Sequence, residues 1–293
     1  MIRGRQQGVD PGLLDEVRQA TASARQVVHG ARLGIHRSRL RGGGSEFSDY
    51  KPYDVGDDPR HLDAKVLART DRYVVRRYES ERQVSATLLL DRSASMSFGT
   101  TTDVADKWEA ARSLALALAF VLLRQGDRVG LSVVDGAGAT HRPPRGGERQ
   151  LDELAMAALQ RPPTGDAGLG EALGEVLARA GRGLVIVVSD LLSDDEQWLD
   201  ALGVHRARGG EAWVLQIVDP AERDFPYDEP ARFVGLEGGE LSLNPRELAA
   251  QYRTEFAAFC EGVRKRCLDA GARHALIDSS EPLGRTLRQF LES

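Results

Sequence analysis

Beyond about residue 83, short unbroken runs of Leu, Val and Ile alternate with longer segments whose apolar residues recur every three or four positions. The runs Ser85-Ala86-Thr87-Leu88-Leu89-Leu90, Arg128 to Val134, Gly183 to Val188, Glu211 to Val218 and His274 to Asp278 read as strands. Their continuity, without a polar residue at every second place, is what burial on both faces of a sheet requires. The longer segments predict helices at about 103–124, 147–160, 168–180, 194–208, 245–270 and 282–291. A further short strand is expected near Thr140, and the stretch from 219 to 244 reads as irregular. Strands alternating with helices of this length predict an α/β fold with a doubly wound, mostly parallel sheet.

The first 82 residues have a different texture. Pro11 and the spacing of Leu13, Leu14, Val17, Ala20, Ala24, Val27 and Val28 predict a helix over 11–30. Gly42-Gly43-Gly44 reads as a flexible break, residues 45–63 are rich in turn formers, and Tyr73 to Tyr78 reads as a strand. The expected organisation is therefore an N-terminal helix and β-rich extension over 1–82, followed by the α/β domain over 83–293.

The chemistry concentrates at strand ends. Asp91-Arg92-Ser93-Ala94-Ser95 follows the first buried run, and alternate positions there aim an Asp and two Ser oxygens at one point. An all-oxygen cluster suits a hard divalent cation, Mg²⁺ first and Mn²⁺ or Ca²⁺ after it. The run Gly183 to Val188 ends in Ser189-Asp190. If the two strands are neighbours, Asp190 closes the same site, where open α/β sheets bind ligands beyond the carboxyl ends of their strands. The plainer alternative makes Ser93, Ser95 and Asp190 helix caps, the last for a helix starting near Asp194.

Composition adds limits. Apolar residues make up 41% and charged residues 28%, as in a soluble globular protein, and the net charge of -5 disfavours general nucleic-acid binding. Residues 1–42 nevertheless hold eight Arg against Asp10, Asp15 and Glu16, read first as a solvated helix face and otherwise as a basic arm for an acidic partner or a membrane surface. No run approaches the ~18 apolar residues of a membrane span, and the N-terminus lacks the apolar core of a signal peptide, so a cytoplasmic protein is expected. Cys260 and Cys267 lie on one predicted helix, about 10 Å apart along its axis and too far for a disulfide.

Enzyme readings meet obstacles. A phosphohydrolase using Asp91 as nucleophile needs a second acid two residues on, and Ser93 stands there. There is no G-x-S-x-G elbow, no phosphate-binding Gly-rich motif and no zinc-ligand cluster. No catalytic residues are assigned and no turnover is expected. A metal-dependent phosphohydrolase at Asp91 and a scaffold with a decayed metal site stay open as alternatives.

Beyond these readings, D-x-S-x-S after a strand and the later strand-Ser-Asp resemble the von Willebrand factor A domain and its metal-ion-dependent adhesion site. The chain is similar, more closely, to the bacterial branch catalogued as domain of unknown function fifty-eight. The matching stretches include "SDYKPYDVGDDPRHLDAKVLARTDRYVVRRYESE" at 48–81, "LLLDRSASMSFG" at 88–99, "RQGDRVGLSVVDG" at 124–136 and "VVSDLL" at 187–192. The resemblance implies a von Willebrand A or Rossmann-like fold and a cation held by Asp91, Ser93, Ser95 and Asp190, with one position open to a partner's acidic side chain. It implies a MoxR-type AAA+ ATPase, or its client protein, as partner. The chain departs from the pattern in the middle loop, Pro163-Thr164-Gly165-Asp166-Ala167-Gly168, where Ala167 and Gly168 stand at the family's Thr and Asp positions. Thr164 or Asp166 would then have to substitute. It also departs at Ala64, where the family has a Trp after Asp63.

Overall fold

The computed structural model describes residues 41–54, 57, 62–81, 83–99, 106–147, 149–166, 168–192, 197–227, 231–234, 240–243 and 245–292, together with Ala22. The helix expected over 11–30 lies, Ala22 apart, outside them. The chain divides into two compact units, one spanning His36–Val84 and the other containing Ser85–Ser293.

In the smaller unit, β1 (Arg41–Pro52) pairs antiparallel with β2 (Val74–Glu81), and α1 (Ala64–Thr70) lies between them in sequence. Two expectations are corrected here. Gly42-Gly43-Gly44 is not a break but part of β1, where the register slips between Arg41 and Glu46. A bulge is where a strand tolerates glycine, since the unpaired residue needs backbone freedom rather than a side chain. The turn-rich stretch also leads into a helix that the pattern did not predict. Asp63 starts it by accepting hydrogen bonds from the Lys65 and Val66 amides at 2.9 and 3.2 Å, and the Tyr50 hydroxyl donates to the same carboxylate at 3.0 Å. Ala64 is exposed. The Asp57 carboxylate pairs with Lys51 at 3.1 Å.

The larger unit holds a six-stranded sheet in the order β10-β7-β6-β3-β4-β5. Its strands are β3 (Ser85–Asp91), β4 (Arg128–Asp135), β5 (Gly138–Arg145), β6 (Leu184–Ser189), β7 (Glu211–Val218) and β10 (Arg273–Asp278). All neighbours run parallel except β4 and β5. The strand near Thr140 is thus an antiparallel edge, which is where a strand carrying Pro143 and Pro144 is tolerated.

Helices cover both faces. Leu89, Val185, Val187 and Val214 pack against Leu173 and Val176 of α4 (Leu169–Ala180), Trp198 and Leu202 of α5 (Gln197–Ala207) and Val263 and Cys267 of α7 (Pro245–Asp269). The alternate residues Leu88, Leu90 and Ile186 are equally buried on the other face. There α2 (Lys107–Arg124) crosses the sheet, flanked by α3 (Arg149–Leu159) and α8 (Leu283–Glu292). Asp106 caps α2 by accepting from the Glu109 amide at 2.7 Å, and its Ala- and Leu-rich body is a strong helix former. The stretch expected to be irregular carries α6 (Pro220–Asp224) and a hairpin of β8 (Ala231–Val234) and β9 (Glu240–Leu243). Cys260 and Cys267 are both free and both on α7.

Candidate functional site

β3 is the hub of the sheet. The chain goes from it to β4 on one side and later to β6 on the other, so strand order reverses there. Leu90 lies opposite Val188, which places the ends of β3 and β6 side by side. The premise that these strands are neighbours holds, and the crevice at their carboxyl ends is the ligand position of open α/β sheets.

Asp91 is the last residue of β3 rather than the first beyond it, and it is buried. One carboxylate oxygen accepts from the Ser93 amide at 2.8 Å and the other from the Ser189 hydroxyl at 2.5 Å. Burial, reinforced by the negative Asp190, raises the Asp91 carboxyl from 3.8 to about 6, against the opposing hydrogen bonds from Ser189 and Ser93. Ser93 precedes a short 3₁₀ turn, Ala94–Ser97, but its side chain makes no capping bond there. Its hydroxyl lies 3.0 Å from that of Ser95 instead.

The middle loop is tied to this one through the backbone. The Thr164 amide donates to the Arg92 carbonyl at 3.0 Å, the Ala94 amide to the Gly165 carbonyl at 2.8 Å, and the Gly136 amide to the Thr164 carbonyl at 3.0 Å. A Cβ on Gly136 would lie 2.9 Å from the Gly165 Cα, so this approach needs glycine. The side chains of Thr164 and Asp166 are exposed, and Asp166 accepts from the Gly168 amide at 3.0 Å at the start of α4. Ala167 lies outside the described residues. Beneath the loops, Arg92 and Asp135 form a buried ion pair at 2.6 Å.

Asp190 has a partner that sequence reasoning missed. The Lys107 ammonium, from the first turn of α2, sits 2.8 Å from one Asp190 oxygen and 2.5 Å from Glu222 of α6, and Lys107 is completely buried. The other Asp190 oxygen accepts from the Leu192 amide at 3.2 Å. Burial works to lower the Lys107 pKa, but Asp190 and Glu222 outweigh it and raise it. Glu222 also accepts from the Asp219 amide at 3.0 Å, which closes a capping box at the end of β7. A signal was present in the sequence. Lys107 shares the spacing of Ala111, Leu114, Leu118 and Leu122 on the buried stripe of α2, and a Lys in such a stripe needs a buried counter-charge.

The donors present fit a hard cation. Octahedral Mg²⁺ with ligands at about 2.1 Å places adjacent oxygens about 3.0 Å apart. That is the separation of the Ser93 and Ser95 hydroxyls, the spacing of two adjacent ligands. Among the described residues, no group of three or more His, Cys, Asp or Glu could hold a metal ion, so any affinity here depends on the hydroxyls.

The family model described as "Protein of unknown function DUF58" matches residues 49–266. The chain belongs to this family. Uncharacterized proteins of Mycobacterium bovis and Mycobacterium tuberculosis are 29% identical to it over 266 residues, covering 86% of this chain and 83% of theirs. Among solved structures, the conserved hypothetical protein BatB of Bacteroides thetaiotaomicron is 19% identical with a TM-score of 0.45, covering 71% of this chain and 97% of its own. The SpRpn10 VWA domain is 13% identical with a TM-score of 0.41, covering 70% of this chain and 93% of its own. Among the described residues, no helix of this DUF58 protein is long and apolar enough to cross a membrane.

Proposed function

We propose that this chain is a non-enzymatic protein–protein interaction module of the von Willebrand A type, whose contact point is a divalent-cation site at the carboxyl ends of β3 and β6. The observation that carries the reading is the Ser93–Ser95 hydroxyl pair at 3.0 Å beside the buried Asp91 carboxylate, at the switch point of the sheet. Asp91, Ser93 and Ser95 would hold the ion, Asp91 also orienting the loop through the Ser93 amide, and the exposed Thr164 lies on a loop bonded to theirs. Bound there, Mg²⁺ or Mn²⁺ supplies a Lewis-acidic position for a carboxylate of the partner. Resemblance to the family makes a cytoplasmic MoxR-type AAA+ ATPase, or its client, the partner to test.

The decisive experiment is capture of that ATPase by the purified chain with Mg²⁺ and with excess chelator. Capture lost in chelator and in Ser93→Ala, with the fold retained, supports the reading. Capture unchanged in chelator overturns it. A generic phosphate ester hydrolysed in the presence of Mg²⁺, and not by Asp91→Asn, would favour the phosphohydrolase instead.

A further inference from the structure

Lys107 touches three parts of the site at once. Its amide donates to the Phe98 carbonyl at 3.1 Å, at the far end of the Asp/Ser loop, and its ammonium lies 5.8 Å from the Phe98 ring centroid. The same ammonium holds Asp190 after β6 and Glu222 after β7. With Lys107 fully buried and Asp190 3% exposed, water screens neither charge well. Of the two Asp91 neighbours that the strand pairing supplies, Ser189 is neutral and Asp190 already carries a cation at its side.

We infer that Lys107 is an internal competitor for Asp190: its tethered ammonium takes the carboxylate that a divalent ion would otherwise draw on, and so sets the cation affinity of the site. Glu222 tunes the competition, because it shares the ammonium and draws it partly away from Asp190. The inference deepens the cation-site reading and rests on it. Lys107 acts here as a positioning residue, through Asp190, and not as a ligand itself. In the native chain the ion is left with Asp91, Ser93 and Ser95, so the site binds weakly and keeps positive charge for a partner's carboxylate.

The test is Mn²⁺ affinity of the full chain by titration calorimetry, for wild type, Lys107→Met and Glu222→Gln, with thermal melts of each. Lys107→Met frees Asp190 and should tighten Mn²⁺ binding about tenfold or more. Glu222→Gln leaves the ammonium wholly to Asp190 and should weaken binding severalfold. A merely structural role would lower stability in both variants without moving affinity in opposite directions. Wild type binding Mn²⁺ with the two variants unchanged, or shifted the same way, overturns the inference and leaves the cation site standing. Binding by neither wild type nor folded Lys107→Met overturns both. If Lys107→Met does not fold, Glu222→Gln decides: unchanged or tighter binding refutes the competition.

Discussion

Replacing Asp91 by Asn should make this protein more stable at neutral pH while removing the cation response proposed above. The Asp91 carboxyl is raised from 3.8 to about 6 by burial and by Asp190. A carboxyl whose pKa is raised on folding binds its proton more tightly in the folded chain. Its contribution therefore favours folding fully below about pH 4 and is lost as pH rises through about 6. At 1.36 kcal/mol per unit, ionising Asp91 in place costs about 3 kcal/mol at pH 8. The amide keeps the acceptor for the Ser93 amide but forfeits the bond donated by the Ser189 hydroxyl, which offsets about 1 kcal/mol. The net expectation is a gain of about 1–2 kcal/mol, or a melting point roughly 2–8 °C higher in chelator at pH 8. Thermal melts of both proteins from pH 4 to 8 would check it, with the gap opening between pH 4 and 7. Saturating Mg²⁺ at a hundred times its dissociation constant should stabilise wild type by about 2.7 kcal/mol and leave Asp91→Asn unmoved. A variant less stable than wild type across the whole range, or a gap that ignores pH, would refute the account of Asp91.

Other outcomes follow from the same geometry. Asp135→Asn strands the Arg92 guanidinium, which is 2% exposed, and should cost about 3–5 kcal/mol in urea unfolding, whereas Arg92→Met with Asp135→Leu together should recover part of that. Gly136→Ala forces apart the loops that Thr164 and Gly165 join and should cost about 1–3 kcal/mol; a melting point equal to wild type would contradict the 2.9 Å approach. Gly210→Ala drives a methyl into the His205 ring, whose Nε2 lies 3.0 and 3.2 Å from the Gly183 and Glu211 carbonyls, and should lower the urea midpoint by a similar amount. Burial pushes the Cys260 and Cys267 thiols up to about 11 and about 12, so alkylation at pH 8 should be slow at both, and a fast-reacting thiol in the folded chain would show that α7 is misplaced.

The parts of the fold that were legible in the sequence are those where pattern and environment coincide. β3, β4, β6 and β7 are apolar runs buried on both faces, and α2 and α4 have helical periods. What escaped was decided by hydrogen bonds rather than by hydrophobicity. α1 has no buried residue to give it a period and exists because Asp63 caps it. α6 is a single short turn closed by the Asp219–Glu222 capping box, within a stretch read as irregular. β1 absorbs three glycines because a register slip accommodates them. The placement of Asp91, Ser93 and Asp190 at neighbouring strand ends was readable because motif and strand end coincide. The stripe of α2 marked Lys107 as buried, but not its partners, which lie 83 and 115 residues further along the chain.

The distribution of unfavourable local features bears on whether this end of the sheet is more than scaffold. Leu191 holds a φ of 59° directly after Asp190, in the left-handed region that costs a branched residue of order 1–3 kcal/mol. Asp91 is a carboxyl whose ionisation burial opposes, and Lys107 is an ammonium with no exposure at all. Well-packed apolar residues in place of Lys107 and its two carboxylates together would be expected to fold at least as well, since buried ion pairs are seldom more stabilising than hydrophobes of similar size. The Leu191 backbone strain and the buried Asp91 and Lys107 charges occur together at the carboxyl ends of β3 and β6, where strand order reverses. A chain whose only task was to fold would have no reason to keep three such features within one crevice. The scaffold alternative must therefore explain why Asp91 and Lys107 are present at all, and a stabilised Asp91→Asn that still captured the partner in chelator is the result that would let it do so.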